Sequence, residues 1–179
     1  MRQSSVYCQI ENKFHGLESM EMIHKKTFHR NQHMTQGERW HPKSTVVPVD
    51  MLDIAGDRAK ELLFDQLPYE LLKEKPEVCV LEVIVPWHAI QPVVACHVDI
   101  GRTSALNYFI DTNGEAFIFA DQMVGFTPKD GDCYILDVAK PHFVGLSPGT
   151  VLRVLSFSFA KLPYEELRRA CASHIRERD

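Results

Sequence analysis

The feature that most constrains the fold is a series of short apolar segments between residues 78 and 159. Six segments are rich in β-branched and aromatic residues and therefore predict strands. They cover 78–85, 93–100, 104–111, 115–120, 132–138 and 151–159. Strands that recur about every 10–15 residues, without an intervening helical rhythm, favour a β-sandwich or barrel over a doubly wound parallel sheet.

A hairpin signal lies between the third and fourth of these segments, at Asn113-Gly114. Both central residues of a type I′ turn need positive φ, which Asn and Gly tolerate. We therefore expect these two strands to pair with each other.

Two helices are expected to flank the strands. Apolar residues recur at helical spacing in residues 53–66, where Asp50 or Asp53 can cap the first turn and Pro68 ends the helix. Pro163 is acceptable in the first turn of a second helix at about 163–176. Residues 45–179 are thus predicted to form one mainly β domain with helices at its sides.

The first 44 residues differ in composition from the rest of the chain. They carry 7 Lys+Arg against 4 Asp+Glu and hold five of the nine histidines, whereas residues 45–160 carry 8 against 16. We interpret residues 1–44 as a basic, His-rich arm on the substrate side of the domain. The competing interpretation is that Val6–Ile10 adds a strand to the sheet.

Composition excludes several classes of protein. A net charge of −4 argues against a strongly basic nucleic-acid binder. Five cysteines, odd in number and without a CxxC pair, are typical of reduced thiols in a cytoplasmic protein. No stretch approaches the roughly 20 apolar residues of a membrane span, and no apolar segment follows the N-terminus, so we expect neither a membrane partner nor a secretory signal.

One constellation points to chemistry: His97 and Asp99 on a predicted strand, with His142 far along the chain. Side chains two apart on a strand point to the same side. Two imidazoles and one carboxylate form the facial triad of non-haem iron(II) oxygenases, which leaves positions open on the metal for a cosubstrate and dioxygen. His-x-Asp alone is a weak motif, and each residue taken singly could be structural.

Arg153 lies within an otherwise apolar segment, between Leu152 and Val154. An unpaired guanidinium inside a β-core is costly to bury, so it needs an anion. Either an acidic residue of the core or the carboxylate of a bound cosubstrate could supply one.

Several motifs together resemble the iron(II)/2-oxoglutarate-dependent oxygenases, and among them the small prolyl- and aspartyl-hydroxylase-like members. The motifs are His97-Val98-Asp99, Ala105-Leu106-Asn107, Gly131–Asp137, Pro141–Val144 and Arg153–Ser156. The resemblance covers about residues 78–160. It implies a double-stranded β-helix, that is, a cupin-like jelly roll, and a hydroxylase or related oxidising activity on an unidentified substrate.

The resemblance also implies roles for individual residues. His97, Asp99 and His142 would bind Fe(II), and Arg153 would pair with the distal carboxylate of 2-oxoglutarate. Many members have a hydroxyl residue two positions after that Arg, whereas this chain has Leu155. A second carboxylate contact would then come from Tyr108, Tyr134 or Ser156, and Asn107 would contact cosubstrate or substrate.

Two alternatives stay open at this point. The first is a non-catalytic jelly-roll module that binds a ligand through Arg153. The second is a cupin-type metal enzyme that does not use 2-oxoglutarate. Cupins usually carry a His-x-His pair on the metal strand, so Asp99 disfavours the second alternative.

Overall fold

The computed structural model describes residues 6–12, 14–28, 44–113, 115–120 and 124–172. The secondary-structure elements, in chain order, are β1 (Tyr7–Ile10), a 3-10 turn (Leu17–Ser19), β2 (Met22–Phe28), β3 (Val49–Ile54), α1 (Asp57–Phe64), α2 (Tyr69–Leu72), β4 (Glu77–Ile84), β5 (Val93–His97), β6 (Ser104–Asn113), β7 (Ala116–Ala120), β8 (Val124–Phe126), β9 (Cys133–Leu136), β10 (His142–Leu146), β11 (Val151–Phe159) and α3 (Tyr164–Ala170).

The described strands form two sheets. The larger has the order β1-β9-β6-β11-β4-β3-β2 and the smaller the order β5-β10-β7-β8. From β4 to β11 the chain places four strands in each sheet and crosses repeatedly from one sheet to the other. Eight strands divided in this way between two sheets are a jelly roll. The mainly β, jelly-roll fold is therefore confirmed.

Two apolar layers hold the sheets in place. The first lies between the sheets, where Phe109 and Leu152 of the larger sheet meet Ile118 of the smaller one. The second covers the outer face of the larger sheet, where Leu155 and Phe157 pack with residues of the three helices, such as Leu63. The larger sheet is consequently packed on both faces along much of β11, which is apolar at six of its nine positions.

All six predicted strands are present, but the expected hairpin is not. β6 lies in the larger sheet and pairs with β11 and β9, whereas β7 lies in the smaller sheet beside β10 and β8. Gly114 itself lies outside the described residues. β8 and β10 were not predicted.

The helices are shorter than predicted. Asp53 lies in β3, and α1 begins at Asp57 because Gly56, with φ of 83°, turns the chain there. α3 spans Tyr164–Ala170, and residues 173–176 of the predicted helix lie outside the described residues. Within the described chain, no helix combines the length and apolar character needed to cross a bilayer.

The N-terminal segment contributes to the sheet. β1 pairs with β9, and β2 pairs with β3. Val6, Ile10 and Leu17 are buried in the two apolar layers. The expectation of an arm separate from the folded unit is therefore corrected for residues 6–12 and 14–28, and the alternative of an added strand at Val6–Ile10 matches the structure. The domain division at residue 44 stays a prediction.

Candidate metal centre

Strand pairing in the smaller sheet brings the two histidines together. His97 is the last residue of β5 and lies directly opposite His142, the first residue of β10. Asp99 follows two residues after His97, and its backbone N–H donates to the carbonyl of Val138 at 3.0 Å. This bond holds the backbone after β5 in place, so the carboxylate of Asp99 lies beside the imidazoles of His97 and His142.

The three side chains converge closely. Oδ1 of Asp99 lies 3.5 Å from Nε2 of His97 and 4.0 Å from Nε2 of His142. The two ring centroids are 4.3 Å apart, and the possible ligand atoms of all three residues lie within 4.8 Å of one another. Two nitrogens and one carboxylate oxygen at this separation can share a single metal ion.

The backbone sets the tautomer of both imidazoles. Nδ1 of His97 lies 2.7 Å from the carbonyl of Ala95, and Nδ1 of His142 lies 2.9 Å from the carbonyl of Lys140. Because a carbonyl can only accept, each Nδ1 carries the proton. In the neutral ring, each Nε2 then presents a lone pair toward Asp99, as a metal-binding imidazole requires.

Burial favours the same neutral form. It lowers the pKa of His142 below its ordinary value, and the neighbouring His97 lowers it further, whereas Asp99 opposes this shift. Only a neutral imidazole can bind a metal. The two imidazoles and one carboxylate, with His142 kept neutral by burial, therefore fit a divalent cation such as Fe(II).

A cavity of about 530 Å³ lies between the sheets and reaches the triad. Its wall is mostly apolar and includes Leu81, Val83, Phe109, Ile118, Leu152 and Val154. Among the described residues, the polar side chains on its wall outside the triad are Lys26, Glu77, Arg102, Asn107 and Ser156. The site can thus hold a ligand of moderate size in mainly apolar surroundings.

Arg153 does not line this cavity. It lies on the other face of β11, opposite Glu82 of β4 and Asp111 of β6. Its Nε donates to Glu82, and its Nη1 lies 3.9 Å from Asp111. The sequence left two partners open for this guanidinium, and in the structure its partners are acidic residues of the protein. The predicted contact of Arg153 with a cosubstrate carboxylate is therefore corrected.

Tyr108 likewise lies on the outer face. It packs in the outer apolar layer, with its ring edge-on to Phe14 at 5.9 Å between centroids. The expectation that Tyr108 contacts a cosubstrate is therefore corrected as well. Tyr134 faces the interior but stacks on Phe126, with 3.9 Å between ring centroids.

Asn107 and Ser156 do face the cavity, and they lie opposite each other on β6 and β11. Oδ1 of Asn107 is buried and has no hydrogen-bond partner among the described residues. A buried acceptor without a partner costs about 1–3 kcal/mol, unless a ligand or water supplies a donor. Asn107 is thus positioned to contact a bound molecule.

The sequence interpretation missed one residue of the site. Arg102 donates to Oδ2 of Asp99 at 3.0 Å and lines the cavity. The sequence does contain a signal for Arg102, because this residue follows Asp99 by three positions with a glycine between them. In the structure that glycine, Gly101, adopts φ of 77° in a tight turn.

No family model matches the chain, and no curated protein sequence is significantly similar to it. Solved structures with a similar fold include a predicted oxalate decarboxylase from Thermotoga maritima, which is 17% identical with a TM-score of 0.40 over 63% of this chain and 81% of that one. An oxidoreductase of the 2OG-Fe(II) oxygenase family from Burkholderia pseudomallei is 10% identical, with a TM-score of 0.43 over 64% of this chain and 68% of that one. A prolyl-4-hydroxylase from Pseudomonas putida is 12% identical, with a TM-score of 0.42 over 64% and 72%. These likenesses concern the fold alone.

Proposed function

We propose that this protein is a non-haem iron(II) oxygenase that hydroxylates or otherwise oxidises a substrate held between its two sheets. The observation that carries the proposal is the convergence of His97, Asp99 and His142 at the cavity, with both Nε2 lone pairs turned toward the carboxylate. Three protein ligands on one side of a metal leave its other positions open, as an oxygenase requires.

The bound iron would supply the activation of dioxygen, and the protein would supply geometry and surroundings. The carbonyls of Ala95 and Lys140 hold the two imidazoles in the binding tautomer. Leu81 and Val154 belong to the mainly apolar wall of the cavity, which would limit the access of water to a bound substrate. Asn107 offers its amide to orient the bound molecule, since the amide can accept or, when rotated, donate.

The proposed cosubstrate is 2-oxoglutarate, because the sequence motifs resemble those of the iron(II)/2-oxoglutarate-dependent oxygenases. The residues do not fit it in the way that the resemblance implies, because Arg153 is paired with Glu82 on the outer face. Its distal carboxylate would need other donors, and those on the cavity wall are Asn107, Ser156 and the two cations Lys26 and Arg102.

This placement of Arg153 supports a second candidate, a metal enzyme of the same fold that does not use 2-oxoglutarate. Such an enzyme needs the triad and the cavity but no anchor for a dicarboxylate. The two candidates share the metal centre and differ only in the cosubstrate.

The deciding experiment has two stages. First, the metal-free 179-residue chain is titrated anaerobically with Fe(II) in a calorimeter, and so are the variants His97→Ala, Asp99→Ala and His142→Ala. We expect the unaltered chain to bind one equivalent and each variant to lose most of its affinity. His88→Ala is the matched control, because His88 is exposed and does not line the cavity. Wild-type affinity in all three triad variants would refute the metal centre.

The second stage adds 2-oxoglutarate to the Fe(II)-loaded chain and measures binding and succinate release in air. Saturable binding with succinate formation supports the first candidate. Metal binding without any interaction with 2-oxoglutarate supports the second.

A further inference from the structure

We propose that Arg102 is a positioning residue, which fixes the carboxylate of Asp99 so that one oxygen faces the metal position and the other does not. The inference rests on the proposed metal centre. It concerns how the ligand Asp99 is oriented and not which residues are ligands.

The two oxygens of Asp99 have different partners. Oδ2 accepts from Nη2 of Arg102 at 3.0 Å, whereas Oδ1 faces Nε2 of His97 and Nε2 of His142. Asp99 is mostly buried, at 11% side-chain exposure. A charge-assisted bond at a buried carboxylate is strong enough to select one rotamer of the side chain.

Arg102 is itself held at its other end. Its Nη1 donates to Oγ of Ser158 at 2.9 Å, and Ser158 is buried on β11 of the larger sheet. Gly101, with φ of 77°, provides the turn that brings Arg102 back over Asp99. The guanidinium therefore ties the ligand carboxylate, which follows β5 of the smaller sheet, to the opposite sheet.

This arrangement has a consequence for coordination. With Oδ2 held by Arg102, Oδ1 is the oxygen that faces Nε2 of both histidines, so Asp99 would present this oxygen to a cation. The positive charge of Arg102 opposes cation binding, but the fixed orientation of Asp99 favours it. Loss of a partner that orients a metal ligand typically costs 10–100-fold in metal affinity or activity, so we expect orientation to dominate.

The test uses Mn(II), which is stable in air, as the metal probe, and the metal-free 179-residue chain as the protein. We expect Arg102→Gln to weaken Mn(II) binding about 10–100-fold by calorimetry, and to change the electron paramagnetic resonance spectrum of the bound Mn(II). Arg102→Lys should recover part of the affinity, because one cationic donor remains. Arg58→Gln is the control, since Arg58 is an exposed arginine of α1.

Ser158→Ala provides a second variant that leaves the guanidinium in place. We expect it to produce a smaller change in the same direction, and it covers the case in which Arg102→Gln does not fold. The proposal is overturned, with the metal centre left intact, if Arg102→Gln binds Mn(II) with wild-type affinity and gives an unchanged spectrum. If Arg102→Gln does not fold, the same result in both Ser158→Ala and Arg102→Lys overturns it. Absence of Mn(II) and Fe(II) binding by the unaltered chain would refute the metal centre, and this proposal with it.

Discussion

Replacement of Arg153 by Leu separates a structural role for this residue from a role in binding. The guanidinium donates to Glu82 and lies near Asp111, so its removal leaves a mostly buried carboxylate, 13% exposed, without its cation. A hydrogen bond to a charged group contributes about 1.5–3 kcal/mol when buried. Arg153 is 42% exposed, and exposed pairs contribute about 0–1 kcal/mol. We therefore expect a loss of about 1–2 kcal/mol of unfolding free energy.

For a chain of this length, 1 kcal/mol corresponds to a shift of about 2–4 °C in the melting temperature, so Arg153→Leu should melt about 2–8 °C lower. Circular dichroism measures this shift. Arg58→Leu is the control, because it removes an exposed pair with Glu61 on α1 and should change the melting temperature far less.

The same variant tests the cavity. Because Arg153 points away from it, calorimetric titration of the metal-loaded variant should give the same result with 2-oxoglutarate as the unaltered chain does. An unchanged melting temperature together with a ten-fold or greater loss of 2-oxoglutarate affinity would refute this reasoning. It would place Arg153 in contact with the cosubstrate.

Two further predictions concern the N-terminal strand and the polar wall of the cavity. Ile10→Ala should reduce the unfolding free energy, measured by urea denaturation, by about 2–5 kcal/mol, because Ile10 is buried at 4% exposure. The control Glu11→Ala should change it by less than about 0.5 kcal/mol. Equal stability of the two variants would mean that β1 is not part of the core. Asn107→Ala should leave the unfolding free energy of the ligand-free protein unchanged or raise it by up to about 3 kcal/mol in the same assay, because it removes a buried acceptor that has no partner there. A loss of about 2 kcal/mol or more would assign Asn107 a structural role.

Local pattern in the sequence was sufficient for much of the fold. The strands from β4 to β11 that were predicted are those rich in β-branched and aromatic residues, because such side chains fit the pleated, partly buried surface of a sheet. The pairing of His97 with Asp99 was also accessible. Their spacing of two predicts that both lie on one side of an extended chain. β5 ends at His97, however, and the backbone of Asp99 beyond it is held by the hydrogen bond to the carbonyl of Val138, which no local pattern predicts.

Strand partners and distant contacts were decided by the tertiary structure. β10 is five residues long and contains Gly145, so it has little strand signal of its own and exists because β5 and β7 supply its hydrogen bonds. That pairing, and not any local feature, places His142 opposite His97. The expected hairpin at Asn113 failed for a similar reason, since in a jelly roll the next strand enters the other sheet.

The face on which Arg153 lies shows the limit of the sequence most clearly. Alternation of apolar and polar residues reveals the two faces of a strand only when one face is exposed. β11 is covered on both faces, by the cavity wall at Leu152 and Val154 and by the outer apolar layer at Leu155. The residue pattern therefore required an anion for Arg153, but only the packing of the two sheets determined that Glu82 and Asp111 supply it.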